Sequence, residues 1–182
     1  ISFLTSYAQP LRRLNSFSYN INDGLLQSSI VDMDFDGMGF MWLSYETGLQ
    51  RYDGHNFSIV LPQKGLPDNQ NIKFLKSKNG GLWLCHSKGV SYYNPMTNHF
   101  TLVFSFETKN SLPAIWPVNE DGEVVYFYSA DGYIIGINET NFQVIKRSRF
   151  PFSTHTEEEP AEFQTAGSPS EHEILICFDR SI

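Results

Sequence analysis

A chain of 182 residues and 20.8 kDa suffices for one domain with a substantial core and is too short for two large ones. Aromatic residues make up 15% of it, which argues against disorder, and 13 glycines with nine prolines argue against an all-helical chain. The formal net charge of −7, with no basic run longer than two residues, excludes a nucleic-acid backbone as partner, and no stretch of 18 apolar residues offers a helical membrane span.

Along the chain, residues 1–8 come first. They are uncharged and apolar and end in Ser6-Tyr7-Ala8, with small residues at the two positions that a signal peptidase reads. This segment is expected to be the remnant of a signal peptide, with an ordinary N-terminal strand as the alternative. Residues 9–23 follow as an N-terminal segment in which Phe17-Ser18-Tyr19 reads as an outer strand with no sheet of its own.

From Gly24 the chain repeats itself. A shift of 41 residues carries Gly24-Leu25 onto Gly65-Leu66, Gly39 onto Gly80 and Trp42-Leu43 onto Trp83-Leu84. The same shift carries Gly48 onto Gly89 and Tyr52 onto Tyr93, and a two-residue insertion then brings Phe57 onto Phe100. In a third, worn copy Gly122 stands in the place of Gly80 and Val125-Tyr126 in the place of Trp83-Leu84, followed by Gly132, Ile137-Asn138 and Phe142. A fourth starts near Ala161 and reaches Ile174–Phe178.

Each unit reads as four strands. A short alternating strand (Val31–Phe35, Ile72–Leu75) leads through a glycine turn to a run that is apolar on both faces (Phe40–Leu43, Leu82–Cys85, Val124–Tyr128). Such a run has to be covered on both sides. A second glycine turn gives a third strand ending in Tyr52, Tyr93 or Ile137, and a polar bend returns the chain as an outer strand from Phe57, Phe100 or Phe142. A period near 40 with this content is the signature of propeller blades. The expected fold is all-β: four-stranded antiparallel β-propeller blades over 24–64, 65–105 and 106–146, with a partial blade over 147–182. That makes an incomplete propeller of about three and a half blades. Closed propellers have about 4–8, so the chain is expected to be the N-terminal part of a longer protein.

The unit Gly24-Leu25, Asp36-x-x-Gly39-x-x-Trp42-Leu43, Gly48-Leu49-x-x-Tyr52-Asp53-Gly54 resembles the two-component regulator propeller repeat, which builds the extracytoplasmic sensor of hybrid two-component histidine kinases. The resemblance implies a periplasmic module that senses an oligosaccharide and signals through later domains, a kinase among them, absent from this chain. It implies as partners the rest of the sensor polypeptide and, as a further option, a second copy in a homodimer. It gives Gly39, Trp42, Gly48, Tyr52, Gly80, Trp83, Gly89 and Tyr93 an architectural role.

Propeller geometry gathers the outer-to-inner loops and the turns between second and third strands on one face. Tyr45, Glu46, Asn69, Asn71, His86 and Trp116 lie there and supply amides, a carboxylate and aromatic faces for sugar hydroxyls and C–H groups, with Trp116 the preferred stacking candidate. Against this stands the plain reading that turn residues are merely solvated and that Trp116 is a core residue. Five histidines (55, 86, 99, 155, 172) show no ligand spacing, so no metal and no cofactor is expected. Cys85 and Cys177 sit in apolar runs outside any CxxC and are expected to be buried thiols, with a disulfide left open. The acidic run Glu157–Glu159 reads as a solvated loop. No nucleophile or phosphate-loop motif points to an enzyme. The alternatives are a propeller scaffold for protein partners and a polysaccharide lyase or glycosidase using channel carboxylates such as Asp32 and Asp34.

Overall fold

A computed structural model describes residues 17–106, 115–130 and 132–149, and the strands 163–170 and 173–178 as backbone. The expectations on residues 1–16 and on the acidic run lie outside the described residues. Three four-stranded antiparallel sheets follow one another along the chain. The first holds β1 (Asp32–Phe35), β2 (Met41–Tyr45), β3 (Gly48–Tyr52) and β4 (Phe57–Val60) in that order. The second holds β5 (Lys73–Lys76), β6 (Leu82–His86), β7 (Gly89–Asn94) and β8 (His99–Ser105). The third holds β9 (Ile115–Asp121), β10 (Val124–Ser129), β11 (Tyr133–Asn138) and β12 (Val144–Arg149). A hairpin of β13 (Phe163–Ser170) and β14 (Glu173–Phe178) comes last. Among the described residues the only helix is one 3-10 turn, Ile21–Asp23. β1 lies beside β5 and β5 beside β9, so the first strand of each sheet faces a shared centre, as in propeller blades.

Local chemistry explains the repetition. Gly39, Gly80 and Gly132 each close a strand-joining turn with positive φ, a conformation that glycine adopts without strain. The bend from third to fourth strand is built three times in one way. The side-chain oxygen of Asp53 accepts from the N–H groups of His55 and Asn56, that of Asn94 from Met96 and Thr97, and that of Asn138 from Thr140 and Asn141. Those backbone donors hold the Asp53 carboxyl below its usual range.

The core forms two slabs, each between neighbouring sheets. Trp42 and Leu49 of the first sheet meet Phe74, Leu82, Leu84, Tyr93 and Phe100 of the second. Trp83, Cys85, Val90 and Tyr92 on the other face of the second sheet meet Ile115, Val125, Phe127, Ile135 and Ile137 of the third. All five residues of β6 are therefore buried. The indoles of Trp42 and Trp83 lie against aromatic rings of the following unit: Trp42 is 4.6 Å from Tyr93 and 5.9 Å from Phe100, and Trp83 is 5.5 Å from Phe127 and 5.7 Å from Phe142.

Two details differ from the sequence reading. In the third sheet Val125 and Phe127 point back into the second slab, as Leu82 and Leu84 point into the first. Tyr126 thus has the facing of Trp83, and the worn repeat is displaced by one residue, which in a strand exchanges the two faces. Phe17-Ser18-Tyr19 is not in a strand; Tyr19 packs edge-on against Tyr52 and Phe57 and bonds the Tyr52 hydroxyl at 2.9 Å.

Candidate ligand site

The centre of the three sheets is held by side chains rather than by a ladder. Asp32 on β1 accepts the N–H of Phe74 on β5 (2.9 Å), and Lys73 on β5 donates back to the carbonyl of Val31 (3.0 Å). At the end of the sheets where these strands begin, residues from all three enclose a cavity of about 360 Å³. The first sheet contributes Val31. The second gives Asp68, Gln70, Asn71 and Lys73 from the approach to β5, and Cys85, His86 and Ser87 from the end of β6. The third gives Ile115 and Trp116.

The wall from the second sheet is braced internally. Asp68 accepts from the Gln70 N–H (3.1 Å) with one oxygen and from the Ser87 hydroxyl with the other. Asn71 has left-handed φ (48°), a conformation that Asn tolerates better than most residues, and its N–H is tied to the Tyr45 carbonyl across the sheet boundary (3.0 Å). His86 is buried, and its Nδ1 accepts the Lys88 N–H (3.2 Å), which leaves the ring proton on Nε2 to donate to Ser91 Oγ (2.8 Å). Removal from water pushes the imidazole down to about 4, against a smaller upward pull from Asp68, so His86 is neutral at neutral pH. Burial pushes the Cys85 thiol well up, so it stays protonated. The side chain of Cys177 lies outside the described set.

Of the six residues singled out for ligand contact, the cavity brings together Asn71, His86 and Trp116. Tyr45 is fully buried, and Asn69, also buried, spends its amide on the Val60 carbonyl (2.7 Å). Glu46 is exposed on the β2–β3 turn and is not part of the lining. His86 stands in the lining with both ring nitrogens already engaged. Trp116 is half-buried in strand β9 rather than in a loop, with its ring stacked 6.1 Å from Tyr128, its register partner on β10. Gln70, Lys73 and Ser87 also line the cavity; their place beside Asn71 and His86 in the same connections is the signal that could have found them. The carboxylates weighed for catalysis are engaged with backbone, Asp32 with Met33 and Phe74 and Asp34 with Phe35.

No protein-family model matches the chain. A segment of 42 residues is 43% identical to histidine kinase P4 of Formosa agariphila, covering 23% of this chain and 3% of that protein. Two solved structures from B. thetaiotaomicron share the fold. One is the extracellular domain of BT3049, described as a hybrid two-component system, with a TM-score of 0.62 and 19% identity over 85% of this chain and 20% of that one. The other is the extracellular domain of BT4673, described as a one-component system, with a TM-score of 0.63 and 16% identity over 93% of this chain and 21% of that one. The resemblance read from the repeat is thus met by a sequence match over one segment and by a shared fold, the all-β one of these extracellular domains. The chain spans about a fifth of their length.

Proposed function

We propose that the chain is part of the periplasmic sensor propeller of a hybrid two-component regulator. It binds an oligosaccharide in the cavity among the three sheets and passes occupancy on to further domains of the same polypeptide. The observation that carries this reading is the meeting of amides and an indole in one cavity, on a fold shared with the extracellular domains of two such systems. Asn71 and Gln70 supply paired donors and acceptors for hydroxyls, and Trp116 an apolar face for sugar C–H groups. The protein does no covalent chemistry in this role. Ligand has only to favour one arrangement of the sheets over another, by contacts that differ between the two. Because the lining comes from three sheets, a bound ligand touches elements whose relative placement could carry that difference.

The test is retention of the full chain on an oligosaccharide array, repeated with Asn71→Ala and Trp116→Ala variants whose near-UV dichroism matches the parent. Binding that each variant weakens by about tenfold or more, on the order of 1.4 kcal/mol, is the expected result. Absence of any sugar binding, or binding indifferent to both substitutions, would remove the proposal.

A further inference from the structure

We infer that the sugar taken up by this cavity is a neutral one, and that units carrying a carboxylate or a sulfate are turned away. This rests on the glycan reading above and narrows it. Among the described residues, the lining contains one anionic and one cationic side chain, Asp68 and Lys73, so it offers no net charge. Neither is idle. Both oxygens of Asp68 are occupied by Gln70 and Ser87, and the Lys73 ammonium is spent partly on the Val31 carbonyl. A second carboxylate, Asp32, is held on the neighbouring strand β1 by the N–H groups of Met33 and Phe74 and adds no cation to the wall.

Recognition of a sugar acid takes fixed cationic donors, most effectively the two-pronged guanidinium of an arginine. Among the described residues no arginine lines the cavity. Arg51 is committed elsewhere, to the Tyr93 hydroxyl (3.1 Å) and the Asn98 side chain (3.0 Å). The chain's overall charge of −7 adds a long-range repulsion against polyanionic glycans.

What the cavity does offer is neutral. Gln70 and Asn71 are exposed, and neither side-chain amide is hydrogen-bonded to another described residue. Each presents one acceptor and two donor protons, the pattern that matches a pair of sugar hydroxyls. The indole of Trp116 supplies the face. At about 360 Å³ the cavity is at the small end of the range for ligand sites, roughly 300–1,000 Å³, which suits a terminal sugar unit rather than a long chain.

The experiment is calorimetric titration of the full chain with two matched panels, neutral gluco-, manno-, galacto- and xylo-oligosaccharides and their uronate-containing or sulfated counterparts, at low and high salt. The inference expects binding from the neutral panel at least about tenfold tighter than from the acidic one. It also expects no shift with salt, because a neutral ligand has no charge to screen. Binding of the acidic panel alone, weakening as salt rises, overturns the inference while leaving a glycan sensor in place. Silence from both panels removes the glycan reading itself. A Gln70→Ala/Asn71→Ala double variant is expected to lose neutral binding by at least tenfold. Neutral binding that survives the double variant also overturns the inference. The panel comparison needs no variant and stands if one fails to fold.

Discussion

Asp36 and Ser77 hold the same place in two successive units, and the missing carboxylate is felt at the tryptophans. Asp36 is buried; one oxygen accepts the N–H groups of Met38 (2.9 Å) and Phe40 (3.1 Å), and the other takes Trp42 Nε1 (2.9 Å). Ser77 repeats the turn contact, accepting from the Asn79 N–H at 3.0 Å, but its side chain is too short for the indole. Asp36→Ala leaves the buried indole N–H and two turn N–H groups without their acceptor and is expected to destabilise the protein by about 2–4 kcal/mol in urea unfolding. Asp36→Asn, which keeps one acceptor, should lose less. His86 gives a second test at this scale. Its folded value near 4 lies below the ordinary 6.5, so the unfolded chain takes the proton first. Stability is flat above pH 6.5, falls between 6.5 and about 4 by at most roughly 3 kcal/mol, and levels off below that. Denaturation curves across that window for the parent and for His86→Asn should differ in slope, the variant lacking this share of the loss.

At the scale of strands and turns, the indole left without an aspartate finds its partner in the next sheet. Trp83 Nε1 donates to Glu139 Oε1 (3.2 Å), and Lys78 closes the arrangement with Glu120 (3.3 Å), Glu139 (3.8 Å) and the Gly122 carbonyl. Glu139→Ala is therefore expected to lower the unfolding midpoint, and adding Ser77→Asp to recover part of it by supplying the carboxylate from within the second sheet. A double-mutant cycle reads the coupling, and strict additivity would count against this account. The first seam carries a backbone contact instead. The Gly37 N–H meets the Gly80 carbonyl (2.6 Å), and a Cβ on Gly37 would lie 2.6 Å from Gly80 Cα. Gly37→Ala must push the two turns apart, and a loss of about 1–3 kcal/mol is expected by the same unfolding assay.

The strands were legible because glycine turns and doubly apolar runs leave few other readings. Less legible was what each loop residue faces. Tyr45 and His86 share a place in the repeat; both are buried, but only His86 joins the cavity lining. Period and composition are the same for both, and only the neighbouring sheet decides. Pro117 obscured β9 in a similar way, since proline in a run fits an edge strand as well as a loop. The structure gives β9 the inner edge of its sheet, with a bulge at Val118, where Tyr126 pairs with Asn119 and Phe127 with Pro117.

For the whole molecule, the two slabs make each sheet depend chiefly on its neighbours, so stability should behave as a sum of units and seams. Trp83→Ala removes the largest side chain of the second slab, at a cost of about 3–5 kcal/mol. Hydrogen exchange should then show protection falling more in Val124–Ser129 than in Met41–Tyr45, which packs across the other seam. A uniform loss across all sheets would mean that the chain opens as one cooperative block. The unequal seams also limit how far the units are interchangeable parts. A copy of the first unit spliced in place of the second would bring its own aspartate to the second indole. Glu139 would be left buried without its donor, and a new carboxylate would stand near it. Recombination or consensus averaging of such repeats has to move the Trp83 donor, the residue at 77 and Glu139 together, so the unit of exchange is a seam with both its sides rather than a blade.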